Sequence, residues 1–207
     1  MRHLDGAKGP PLTHWEVAVL AFLREDRMHP YEMQRLLRER HKDELLALKR
    51  GSLYHAINRL ARKGLIEAIS TRREGRRPAR TTYGLTPQGA AALVLSLRAM
   101  VAVPRRETSE FFAGLSFLVY LDPSDARAQL EERARRIETE IDELTATRRR
   151  LIAGVKRINL LEEEYLLVMR RAELRWLRAL VENLRSRELT WSVEEILRAV
   201  RKAKLRQ

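Results

Sequence analysis

Apolar residues recur at helical spacing through most of this chain, and the places where that rhythm breaks divide it into elements. WEVAVLAFL, residues 15–23, is dense enough in apolar side chains to be a buried helix, and Thr13 with Glu16 three residues on forms a capping-box pattern at its start. His29-Pro30 restarts the chain, with Pro30 suited to a first helical turn. Tyr31, Met33, Leu36 and Leu37 then predict an amphipathic second helix. After a charged connection, Gly51-Ser52 opens a third helix to about Lys63, with Ser52 as its N-cap. Leu53, Ile57 and Leu60 lie four and three residues apart, on one face, and Gly64 stops the helix. The period then changes. LIEAIST (65–71) reads as a strand, Glu74-Gly75 as a turn, and ARTTYGLT (79–86) as a returning strand anchored by Tyr83. Thr86-Pro87 caps and starts a further helix to about Val103.

Three helices, a two-stranded hairpin and a helix is the order of a winged helix-turn-helix, assigned to residues 12–103. Pro104 and the RRETS that follows mark a boundary. Residues 110–207 read as a second, helical domain, so the fold class is mainly α. Asp122-Pro123 starts a long helix, in which Ile137, Ile141, Leu144, Leu151, Val155 and Ile158 form a heptad-like seam with Arg148 in its polar slot. The seam continues through Tyr165, Met169, Ala172 and Trp176. The pattern predicts a coiled-coil-like dimerisation surface. One unbroken helix over 123–187 would be about 97 Å long, too long for a compact domain, so a turn is expected near 154–161. Ser192 with Glu195 makes a second capping box before a last, basic helix.

Charge sharpens the picture. The chain of 207 residues carries 41 Lys and Arg against 28 Asp and Glu, a formal net charge of +13, which favours polyanionic partners. Residues 49–80 hold ten of those cations and two carboxylates, so a net +8 is concentrated there. RREGRRPAR (72–80) contains five arginines, whose planar forks each bind two phosphate oxygens. The face of the third helix opposite Leu53 presents Tyr54, His55, Asn58, Arg59 and Arg62. Asn and Arg pair bidentately with adenine and guanine edges, and a helix fits the major groove. A solvated amphipathic face is the bland alternative for the helix alone, but the arginine-rich turn beside it favours DNA. The residues assigned to DNA are Arg50, Ser52, Tyr54, His55, Asn58 and Arg59 on or before the helix. In the wing they are Arg72, Arg73, Gly75, Arg76, Arg77 and Arg80.

GSLYHAINRLARKGLIE (51–67) followed by REGRRPARTTYGLTPQG (73–89) resembles the winged-helix signature of PadR-type transcriptional regulators. FFAGLSFLVYL, a long helix and YLLVMRRAELRWLRALVENL are similar in layout to the dimerising helical domain attached to many of them. The resemblance spans about residues 12–187. It implies a homodimer on a palindromic operator of double-stranded DNA, with repression more common than activation. It further implies that Tyr54 contacts the DNA backbone and that Gly75–Pro78 is the wing tip. His55 stands where many members have proline, and the last helix is not part of the pattern.

Other classes fare worse. The five histidines, at 3, 14, 29, 41 and 55, lack metal-site spacing, no phosphate loop or nucleophile elbow occurs, and no cofactor is implied. The carboxylates, such as those at 162–164, sit among arginines and read as solvated ion pairs. A winged-helix protein-docking module for an acidic partner is the main rival, but the third helix shows no exposed apolar anchors of the kind docking needs. Trp15 and Trp176 are the candidates to stack on a small-molecule effector in a pocket at the domain junction, but the favoured reading is that both are packing anchors. No apolar stretch reaches the ~20 residues of a membrane span. With no cysteine, the chain fits a reducing cytoplasm.

Overall fold

The computed structural model describes residues 11–40, 42, 51–72, 80–104 and 109–204, with backbone alone at 71, 72, 80 and 204. It divides into two compact units, residues 1–106 and 107–207.

The first unit contains α1 (His14–Glu25), α2 (Pro30–Glu39), α3 (Ser52–Arg62), β1 (Ile66–Arg72), β2 (Arg80–Leu85) and α4 (Pro87–Ala102). α1 begins with the expected capping box: Glu16 N–H donates to Thr13 Oγ1 at 3.3 Å and Thr13 N–H to Glu16 Oε2 at 2.8 Å. α2 is entered through His29, whose ring Nδ1 accepts from Tyr31 N–H at 3.1 Å, while its own N–H donates to Glu32 Oε2 at 2.8 Å. Met33 and Leu37 are buried, but Tyr31 is 63% exposed, because it lies beside that stripe and not on it. Ser52 is the first helical residue of α3. The N-cap is Gly51, in a helical conformation, with no side-chain cap bond, so the expected serine cap is shifted by one residue.

α3 ends in a Schellman motif. Leu65 N–H donates to Leu60 O and Gly64 N–H to Ala61 O, both at 3.0 Å, with Gly64 at φ +66°. β1 and β2 pair antiparallel from Ile66 opposite Leu85 to Arg72 opposite Arg80, with a bulge between Ala68 and Ser70. Met28, between α1 and α2, adds a bridge to the free edge of β2 by exchanging backbone hydrogen bonds with Tyr83 at 3.0 and 3.1 Å. The core joins α1 (Val19, Leu20, Leu23), α2 (Met33, Leu37), α3 (Leu53, Ile57, Leu60), Ile66 and Leu93.

The second unit contains α5 (Glu110–Ser116), a 3-10 turn at Leu118–Tyr120, α6 (Pro123–Leu151), α7 (Leu161–Arg185) and α8 (Val193–Lys204). The long seam is not one helix. α6 stops at Leu151, a turn and a 3-10 segment at Arg157–Asn159 reverse the chain, and α7 returns antiparallel. Val155 and Ile158 therefore lie in the connection. Ile137, 4% exposed, packs with Leu130, Leu174, Leu177, Val181 and Leu184 inside the hairpin, and Ile141 borders that cluster. The spacing of four and three was real, but its first half serves the chain's own hairpin. Trp191 fastens the segment before α8 by donating its indole N–H to Leu121 O at 2.9 Å, and Glu195 N–H finds Ser192 Oγ at 3.3 Å.

Candidate nucleic-acid interface

The face of α3 is built by burial on its other side. Leu53, Ala56, Ile57 and Leu60 are buried against α1 and the sheet, so the helix can turn only one surface outward. That surface carries Tyr54, His55, Asn58 and Arg62, all exposed. The side chains of Tyr54, His55 and Asn58 have no hydrogen-bond partner among the described residues. Donors and acceptors left open in this way on a rigid helix are available to base edges or phosphates.

Arg59, one step round the helix, behaves differently. Its Nε donates to Glu16 Oε1 at 3.1 Å and its Nη2 lies 3.4 Å from Thr13 Oγ1. Lys63, at the end of α3, reaches the same Glu16 oxygen at 3.4 Å. Glu16 is only 1% exposed. Burial alone would raise its pKa, but the Thr13 N–H and hydroxyl, the Arg59 hydrogen bond and the Lys63 charge outweigh it and hold the carboxyl below its usual value. A buried carboxylate on α1 is thus clamped to two cations on the flank of α3. The capping box was legible in the sequence; the clamp was not, because its partners lie more than forty residues away.

The sheet brings the backbones of Arg72 and Arg80 opposite each other at the last pair of the ladder, where β1 ends and β2 begins. Arg50, Arg73, Gly75, Arg76 and Arg77 lie outside the described residues, as do the side chains of Arg72 and Arg80. Ser52 sits in the first turn of α3, half-buried.

The remaining assigned residues belong to other surroundings. Trp15 is 7% exposed in the core of the first unit, a packing anchor. Trp176, 47% exposed, sets its ring edge-on to Phe111 at 6.2 Å between centroids. The Arg133 guanidinium stacks on that same Phe111 ring at 3.7 Å. Tyr165 and Met169 are exposed on α7, on the side away from the hairpin core, whereas Leu144 and Leu151 are half-buried on α6. Among the described residues no group of His, Cys, Asp and Glu is placed to hold a metal, and no helix is long and apolar enough to cross a membrane.

Comparison with known proteins shows what this geometry resembles. Residues 19–94 match the model of the transcriptional regulator PadR-like family. No curated protein matches the sequence. Among solved structures, Bacillus subtilis PadR in complex with operator DNA superposes with a TM-score of 0.69 at 18% identity, covering 84% of this chain and 99% of that one. The same protein in complex with p-coumaric acid gives 0.62 at 18% identity, covering 82% and 97%. The Vibrio cholerae virulence activator AphA gives 0.61 at 16% identity, covering 83% and 98%. At such identities the likeness is one of fold. Residues 19–94 thus match the model of the transcriptional regulator PadR-like family, and the fold of the chain is the one these solved structures share.

Proposed function

We propose that this protein is a sequence-specific, DNA-binding transcriptional regulator of the cytoplasm, a homodimer that represses from a palindromic operator. The observation that carries this reading is α3, whose Leu53, Ala56, Ile57 and Leu60 are buried while Tyr54, His55 and Asn58 stand exposed without partners in the described chain. The concentration of +8 over residues 49–80 supplies the attraction to phosphate that such a helix needs. The Bacillus subtilis neighbour was crystallised on operator DNA, which supports the same use of the shared fold. In this reading α3 enters the major groove, the arginines between β1 and β2 follow the backbone, and the helices of the second unit pair two chains. Half-sites then lie about one helical turn apart, ~34 Å, or a small multiple of it. Release by a small-molecule effector belongs to the reading too, with Trp176 as its aromatic contact, since Trp15 is committed to the core.

The test is binding to the duplex upstream of the protein's own coding sequence, against a shuffled duplex, over a salt series. Preference for the native duplex by ~10³ or more, with a repeated half-site footprint, is the expected result. Equal, strongly salt-dependent binding to both duplexes would reduce the reading to a basic protein attracted to DNA. No binding at modest salt would leave the docking-module reading.

A further inference from the structure

The clamp at Glu16 does more than hold helices together. A capping box needs only a hydrogen-bond acceptor at its fourth position, and glutamine serves there as well as glutamate. The negative charge is therefore not required by the cap, and burying a charge is costly unless it is well paired. Among the described residues it is paired by cations from the flank of α3: Arg59 at 3.1 Å and Lys63 at 3.4 Å. Both cations are little more than a third exposed, drawn in toward α1 beside a face whose other polar groups point outward.

Free cations at that position would add phosphate contacts, and phosphate contacts strengthen binding to every sequence alike. Holding them back lowers affinity for random DNA while leaving the groups that read bases untouched. We infer that Glu16 is a positioning residue for DNA recognition, which withholds Arg59 and Lys63 from the phosphate backbone and so favours specific over non-specific binding. The inference rests on the DNA-binding reading above.

Glu16→Gln keeps the cap and removes the charge. Its binding to a random duplex should strengthen, and the slope of log K against log salt should steepen by ~0.9 for each cation released. Between 50 and 200 mM salt, that is an extra loss of ~3.5-fold per released contact. The ratio of operator to random affinity should fall, with the circular dichroism spectrum unchanged. The triple variant E16Q/R59Q/K63Q should return the wild-type slope, because in the wild type none of the three contributes a phosphate contact. That comparison decides the matter even if the single variant folds poorly. A triple variant with a shallower slope than wild type would show that Arg59 or Lys63 already binds phosphate, and would overturn the inference. So would an unchanged slope in a folded Glu16→Gln. If the wild type itself shows no salt-dependent binding to any duplex, the DNA reading fails and this inference falls with it.

Discussion

Asn58 is the residue on which base reading can be tested most cleanly. It is exposed in the middle of α3, between the buried Ile57 and the clamped Arg59, and its amide has no hydrogen-bond partner among the described residues. Asn58→Ala should cost ~1–3 kcal/mol on operator and little on random DNA, measured by titration of both duplexes at one salt concentration. Equal loss on both would make Asn58 a backbone contact. Glu16 carries a second prediction at this scale. Its pKa is lower in the folded than in the unfolded chain, so its contribution to stability is fully present above the unfolded value. That contribution is lost as pH falls through the folded value. Urea unfolding of the wild type should therefore lose stability below about pH 4.5 more steeply than Glu16→Gln does. Parallel pH profiles would remove the clamp from the stability of the fold.

Between elements, a close joint forms where α3, β1 and α4 meet. Thr86 Oγ1 donates to Gly64 O at 2.8 Å and accepts from Gly89 N–H at 3.0 Å, while Thr86 N–H reaches Leu65 O at 3.3 Å. One threonine thus ties the cap of α4 to the Schellman turn that ends α3. Gly89 is required by the same joint, since a Cβ there would lie 2.0 Å from Leu65 O, a backbone atom with nowhere to move. Gly89→Ala should destabilise the first unit by ~3 kcal/mol, at the upper end of the cost of overpacking. Thr86→Ala should cost ~1 kcal/mol, the usual value of a lost N-cap. Chemical denaturation of the two variants ranks them, and a Gly89→Ala protein as stable as wild type would mean the joint can open.

For the whole molecule, the hairpin of the second unit decides which apolar surface remains for a partner. Arg170 to Glu140 at 2.8 Å, Arg185 to Glu131 at 3.2 Å and the Arg178–Glu138 pair cross between α6 and α7, flanking the apolar seam and fixing its register. Such partly exposed pairs add at most ~1 kcal/mol each, so the seam, not the charges, holds the helices together. What it leaves outside is a stripe on α7: Leu161, Tyr165, Val168, Met169 and Trp176. Large exposed apolar residues at helical spacing mark an interaction surface, and a second copy of the chain is the partner proposed here. Introducing charge by Tyr165→Arg with Met169→Arg should yield a folded monomer in sedimentation equilibrium, with operator affinity reduced. A variant that stayed dimeric would place the interface elsewhere.

Local signals were legible along the chain because they depend on neighbours a few residues apart. The Thr13–Glu16 box, the Gly64 stop and the Thr86-Pro87 start each satisfy backbone groups within one turn, and the alternation in the hairpin is a pattern of near neighbours, so order and type of element could be read directly. The buried face of α3 followed from its period, and with it the exposed face that carries Tyr54, His55 and Asn58. Three matters were settled only in three dimensions. Heptad spacing is the same for a helix that meets another chain and one that meets its own return, so the sequence could not assign Ile137 to the hairpin and Tyr165 to the outside. A tryptophan's composition does not say which way it faces, and Trp15 proved to be core. Arg59 looked like one more cation on a polar face until α1, folded against α3, set a buried carboxylate beside it. An ion pair depends on distance through space, and a linear sequence holds no record of that distance.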